Sequence, residues 1–233
     1  MLSMVEAPAS GRVAAFFDVD DTIINIKTMF SFLDYLKGDK DVVNDCDFVH
    51  YEMELNKLFA LRSPREEINK FYYKAFKGIS VSDLRKKADH WYGKVIAKKN
   101  IFNESVVKYL KWHQSLGHEV VLVSGSCEAL LAPIAKQLKV TKMLVATLEI
   151  KKHKYTGELI GLPSIGMGKA ERVKKFAIDH KISLPSSYAY GDDISDAPML
   201  MSVGNARLVN PTSQMIEALH ESDASNKNQI IKI

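Results

Sequence analysis

Short apolar runs alternate along this chain with stretches in which apolar positions recur every three or four residues. Residues 13–17 (VAAFF) form such a run and end abruptly in acids, as a buried strand does. Runs at 120–123 (VVLV), 143–146 (MLVA) and 188–190 (YAY), and a weaker one at 206–209 (ARLV), predict further strands. Between them lie helical patterns. Lys169–His180 sets Val173, Phe176, Ala177 and His180 on one face, and Gly117 stands where a C-cap should follow Val106–Leu116. Strands alternating with helices predict right-handed crossovers and an α/β fold, a mostly parallel sheet with helices on both faces. A hairpin is expected over 147–160, with Thr156-Gly157 near its end.

Residues from about 30 to 100 break this alternation. Their spacing predicts helices at Met29–Lys37, Cys46–Leu61, Glu66–Phe76 and Ser82–Lys98. Ser63 is the expected N-cap of the third, with Pro64 at its first helical position. An all-helical block between the first two core strands reads as an inserted cap. The division expected is a discontinuous core of 12–29 and 101–221, a cap of 30–100 and a polar tail of 222–233, frayed until Ile230-Ile231. Within the cap, Arg62–Lys99 holds eleven Lys or Arg against four Asp or Glu. Such a face is either solvated or turned in part toward an anionic substrate. The run Lys151, Lys152, His153, Lys154 is expected to be exposed.

Composition narrows the classes. With 233 residues the chain can bury a sizeable core, and 46% hydrophobic and 26% charged residues are ordinary for a globular protein. A net charge of +4 without aromatic-basic interleaving gives no reason to expect nucleic acid as a partner. No apolar run reaches the roughly 18 residues that a membrane span needs. Met1 to Gly11 lacks a basic start and an apolar stretch, so no leader is expected. Cys46 and Cys127 form neither a disulfide framework nor a metal-ligand spacing. A reduced, cytoplasmic protein is the expectation; the oligomeric state is not legible. Cys127, Trp91, Trp112, Met199 and Met201 read as packing residues, and none of the histidines stands at a spacing that suggests a triad.

The chemistry sits at strand ends. Asp18, Asp20 and Asp21 follow the first strand, while Asp192, Asp193 and Asp196 follow the strand at 188–190. Ligands of open α/β sheets bind outside the carboxyl ends of the strands, so the two acid clusters should converge. Converging carboxylates repel unless a cation or a shared proton offsets them. With oxygen ligands alone, the cation expected is hard, Mg²⁺ before Ca²⁺. A third strand end delivers Ser124-Gly125-Ser126, whose backbone N–H groups and hydroxyls suit an oxyanion or phosphate. Lys169, after Gly166-Met167-Gly168, opens a helix at the end where the dipole prefers an anion.

In this order the residues resemble the motifs of the haloacid-dehalogenase superfamily. Asp18-Val19-Asp20-Asp21-Thr22 resembles its DxDxT motif, VVLVS ending in Ser124 its second, Lys169 its third, and Gly191-Asp192-Asp193-Ile194-Ser195-Asp196 its GDxxxD fourth. The match spans about 13 to 210. The cap position and the phrases LVSGSCEALLAPIA, KYTGELIG and YGDDISDAPML look like the phosphoserine-phosphatase-like branch, subfamily IB. That branch also includes phosphatases of histidinol phosphate and other small metabolites.

The resemblance implies a Rossmann-like core and an Mg²⁺-dependent phosphatase acting on a small phosphorylated metabolite. It implies Asp18 as a nucleophile that becomes an aspartyl-phosphate, and Asp20 as general acid and base. It also implies Mg²⁺ on Asp18, the Asp20 backbone carbonyl and Asp192, and phosphate oxygens on Ser124, Gly125 and Lys169. Asp196 would hold a metal-bound water or Lys169, and Thr22 would orient the turn or Asp20. Two departures stand out. Asp21 replaces the glycine often found there. Lys27 stands nine residues after the nucleophile, where phosphoserine phosphatases carry an acid for the substrate's amino group; phosphoserine is therefore a poorer candidate here. Alternatives from the same residues are a phosphotransferase or mutase on this fold, or a non-catalytic phospho-acceptor. Asp192-Asp193-Ile194-Ser195-Asp196 also reads as the DDxxD of prenyl-transferring enzymes, but those motifs lie on long helices, and here a strand and Gly191 precede it.

Overall fold

A computed structural model describes residues 11–38, 45–96, 100–220 and 229–231. The first ten residues, the end of the expected helix over Ser82–Lys98 and most of the expected tail lie outside them. Among the described residues, six parallel strands form the main sheet in the order β3-β2-β1-β6-β7-β8. These are β1 (Ala14–Phe17), β2 (Glu119–Cys127), β3 (Lys142–Ala146), β6 (Tyr188–Gly191), β7 (Asn205–Val209) and β8 (Gln229–Ile231). A separate antiparallel pair, β4 (Leu148–Lys151) and β5 (Lys154–Leu159), makes the expected hairpin. Its turn falls at Lys152-His153, both at positive φ, as a two-residue turn that follows strand twist requires, with Thr156-Gly157 inside β5.

Strand order is what builds the site. β1 is flanked by β2 on one side and β6 on the other, so the connections reverse direction at β1 and leave a crevice at its carboxyl end. The loops after β1, β2 and β6, which carry the acids and Ser124, are therefore neighbours. β1 shows why this strand is central: all four residues are fully buried, and they alternate between two cores. Ala14 and Phe16 face a core that includes Val173 and Phe176 of α7 (Met167–His180), with Phe16 edge-on to Phe176 at 6.1 Å. Ala15 and Phe17 face the other, where Phe17 stacks on Tyr190 at 4.2 Å.

That second core runs without a break into the helical block. The block comprises α1 (Thr28–Lys37), α2 (Asp45–Ala60), α3 (Arg65–Tyr72) with a tight turn at Tyr73–Phe76, and α4 (Val81–Trp91) continuing through a wider turn at Tyr92–Ile96. Pro64 takes the N-cap position of α3, and no side chain caps that helix. Phe32, Phe76 and Trp91 meet edge-to-face at 5.6–5.9 Å. Such aromatic packing adds to the helix-forming content of the block in holding its helices together.

α5 (Glu104–Ser115) is capped by Asn103, and Gly117 takes φ +70° just past its end, as expected of a C-terminal glycine. α6 (Glu128–Leu138) follows β2; α8 (Ala197–Leu200) and α9 (Ser213–His220) cover the Phe16 face with α7. Trp91, Cys127 and Met199 are buried as expected. Trp112 and Met201 are not: they are 44% and 40% exposed, and Trp112 lies against His113 and Tyr188. Ile230 and Ile231, where the expected fraying ends, form β8 together with Gln229.

Candidate active site

Asp18, at the exit of β1, is 6% exposed. Lys169, on the first turn of α7, is buried with it and donates to Asp18 Oδ1 and, at 2.6 Å, to Asp196 Oδ1. Asp196 Oδ2 accepts the backbone N–H groups of Asp192 and Asp193 at 3.2 Å each. The loop can fold back this tightly because residue 191 is glycine: a Cβ there would lie 2.7 Å from Asp196 Cβ. Thus Lys169 ties the first strand loop to the last.

Burial, only partly offset by the Lys169 charge, pushes the Asp18 carboxyl up to about 7. Burial, reinforced by the charge of Asp18, pushes Asp20 up to about 7, and burial with the charge of Asp196 pushes Asp192 up to about 6. Burial alone would lower the Lys169 ammonium, but Asp18 and Asp196 outweigh it and hold the lysine above its ordinary range. This is an acid pocket short of positive charge. Asp18, Asp192 and Asp196 each bring an oxygen within 4.8 Å of the others. An all-oxygen set under mutual repulsion fits a hard divalent cation. Both Asp196 oxygens are already engaged, by Lys169 and by backbone, so Asp18 and Asp192 are the freer ligands.

β2 continues beyond Val123, and its pairing with β3 skips from Ser124 to Cys127. Gly125 and Ser126 thereby leave the ladder beside the carboxylates. Ser124 Oγ accepts the Ser126 N–H at 3.0 Å. A Cβ on Gly125 would press within 2.9 Å of Ile165 and 3.2 Å of Asn69, so the loop tolerates only glycine without rearrangement.

One cavity of about 130 Å³ is lined by Asp18, Asp20, Lys27, Ser124, Gly125, Lys169, Asp192 and Asp196. Thr22 lies just outside and donates to Asp192 Oδ1 at 2.8 Å rather than to Asp20. Asp20 is held instead by Thr28, whose N–H and hydroxyl reach its two oxygens at 3.2 and 3.1 Å. Asp21 sits at φ +60°, the left-handed conformation that glycine adopts freely and Asp tolerates better than most. Its carboxylate pairs with Lys27 at 2.6 Å, both side chains about 40% exposed.

Thr28, Arg65, Asn69 and Asp193 complete the site and were not singled out for these roles from sequence. Arg65, the first residue of α3, pairs with Asp193 and donates to Ser195 Oγ at 3.3 Å, tying the helical block to the last loop. Asp193 also caps the short turn Ile194–Asp196. Asn69 and Tyr73 both donate to the Gly125 carbonyl, at 2.9 and 2.7 Å. Of the basic residues in Arg62–Lys99, Arg65 reaches this cavity.

The fold agrees with that of solved structures, and the chain has recognisable relatives. The family model of haloacid dehalogenase-like hydrolases matches residues 15–201. The chain belongs to that family, is a phosphatase by class and is phosphoserine-phosphatase-like in its branch. It is 29% identical over 204 residues to a probable phosphatase of Mycobacterium tuberculosis, covering 86% of this chain and 69% of that protein. To a phosphoserine phosphatase of the same organism it is 29% identical over 216 residues, covering 90% and 68%. A crystal structure of a protein of unknown function from Bordetella pertussis Tohama I shares the fold with a TM-score of 0.81 at 22% identity, over 95% of this chain and 99% of that one.

Proposed function

We propose that the protein is a magnesium-dependent phosphomonoester hydrolase that works through an aspartyl-phosphate on Asp18 and acts on small phosphorylated metabolites. The observation that carries this reading is the buried Asp18 carboxylate, bonded to Lys169 and facing Ser124, Gly125 and Asp20 across one small cavity. A phosphate monoester resists attack because its oxygens repel an anion, so catalysis is positioning and charge neutralisation.

In this reading Asp18 attacks phosphorus, and Lys169, the Ser124 hydroxyl and the Gly125 N–H hold the equatorial oxygens. Asp20, oriented by Thr28, protonates the leaving alkoxide and then accepts a proton from the water that cleaves the acyl phosphate. Asp196 positions Lys169 rather than the substrate. Bound by Asp18, Asp192 and the Asp20 backbone carbonyl, Mg²⁺ would offset the repulsion between Asp18 and the phosphate.

Residues 30–100 serve as the cap over a core of 12–29 and 101–221; docking by Arg65, Asn69 and Tyr73 supports that division. We place the enzyme in the cytoplasm, where a buried free thiol such as Cys127 is ordinary. Hydrolysis of p-nitrophenyl phosphate tests the class. Activity should require added Mg²⁺ and vanish with EDTA; equal turnover in EDTA contradicts the metal, and no turnover under any metal contradicts the phosphatase.

A further inference from the structure

Two buried polar atoms beside the catalytic residues lack partners among the described residues. Asn69 is 2% exposed, and its Nδ2 donates to the Gly125 carbonyl, with Met29 Sδ at 3.5 Å. Among the described residues, its Oδ1 accepts from nothing. Flipping the amide would turn Oδ1 against the Gly125 carbonyl, so the hydrogen-bond network fixes the acceptor in its present direction. Ser126 is fully buried, and its Oγ likewise has no partner among the described residues. Both residues line the cavity that holds Asp18.

Leaving a buried acceptor unpaired costs about 1–3 kcal/mol, so a site that keeps one is matched to a ligand that brings the donor. The chemistry of that donor is restricted. An amide oxygen only accepts, whereas a serine hydroxyl can accept or donate. Met29, Phe30, Ile68 and Ile165 make the adjoining wall apolar, which disfavours a charged donor. Lys27 and Arg65 stand at the same cavity, each already paired with an acid, Asp21 and Asp193 respectively.

We propose that Asn69 and Ser126 form a neutral hydroxyl-recognition subsite, and that the preferred leaving group is a short, uncharged alcohol bearing a further hydroxyl near the ester carbon. The ester of a polyol fits this description; the ester of an amino alcohol does not. The inference rests on the phosphatase reading and adds the substrate class to it.

Three esters decide it: glycerol 3-phosphate, propyl phosphate, which has the same chain without hydroxyls, and phosphoserine. Wild-type kcat/KM should favour glycerol 3-phosphate over propyl phosphate by about 10- to 100-fold, the factor one unpaired buried acceptor is worth. Asn69→Leu and Ser126→Ala should each shrink that ratio, whereas a purely structural role would lower both rates alike and leave it unchanged. Glycerol 3-phosphate should also exceed phosphoserine. Equal rates on the first two esters, a preference for phosphoserine, or p-nitrophenyl phosphate turned over without either aliphatic ester would each overturn the subsite alone. Failure on p-nitrophenyl phosphate as well would remove the phosphatase reading and the subsite with it. Should Asn69→Leu not fold, the wild-type ratios and Ser126→Ala carry the test.

Discussion

Asp192 ends the central crevice with one oxygen accepting from Thr22 and its carboxyl pushed up to about 6 by burial and by Asp196. Removing it takes a ligand from a pocket that is already too acidic. Asp192→Ala should move the midpoint of a magnesium titration of activity upward by at least about tenfold, the scale of a lost ligand contact. Its folding should survive, because like charges in the metal-free pocket repel. An unchanged midpoint would contradict the ligand assignment. Lys27 allows a second test at this scale. It lines the cavity but is committed to Asp21 at 2.6 Å. Lys27→Glu should raise activity on amine-bearing esters relative to amine-free ones by about 10-fold, for about 1.4 kcal/mol of reversed charge interaction. A ratio that does not move would show that Lys27 has no influence on the leaving group.

At the scale of elements, the docking of α5 on the sheet carries a pH dependence. His113 is fully buried, with Nε2 2.9 Å from the Tyr190 hydroxyl and Nδ1 2.8 Å from His118 Nδ1. Burial, with the charges of His118 and Arg207, pushes it down to about 3. The unfolded chain binds this proton near the ordinary histidine value and the folded one does not. Stability from His113 is therefore full above about pH 6.5 and falls as pH drops toward 3; at pH 5 the loss is about 2 kcal/mol. A thermal melt series from pH 7 to 5 should decline less steeply in His113→Leu than in wild type, by about 4–8 °C. Parallel slopes would contradict the assignment.

The same scale shows what the sequence could and could not disclose. Asp18, Ser124 and Asp192 were legible because each ends a short buried run, and a parallel sheet gathers such ends together. Thr28 holding Asp20, Arg65 meeting Asp193 and Asn69 meeting Gly125 were not legible. Each depends on how a helix settles over the sheet, and those partners are separated by 8, 128 and 56 positions respectively. β8 was missed for a related reason: three residues after a polar stretch carry too little pattern, and only the free edge of β7 makes them a strand. Trp112 packs on His113, His118 and Tyr188 yet stays 44% exposed, because helical spacing does not say how far a neighbouring layer extends.

For the whole molecule, a six-stranded parallel sheet presents one crevice, and the helical block closes over it while sharing a continuous core with it. Every feature of the crevice converges on Asp18, which Lys169 holds from one side and the loops after β2 and β6 surround. In the proposed reaction this carboxylate becomes covalently phosphorylated during turnover. Borohydride reduces an acyl phosphate, so quenching the enzyme in mid-turnover with Mg²⁺ and substrate should convert Asp18 to homoserine, read by peptide mass spectrometry. Homoserine is expected at position 18, none without substrate, and none in Asp18→Asn, whose turnover should fall by at least about 10³-fold. Homoserine at another aspartate, or an Asp18→Asn variant that still turns over at a tenth of the wild-type rate, would contradict it.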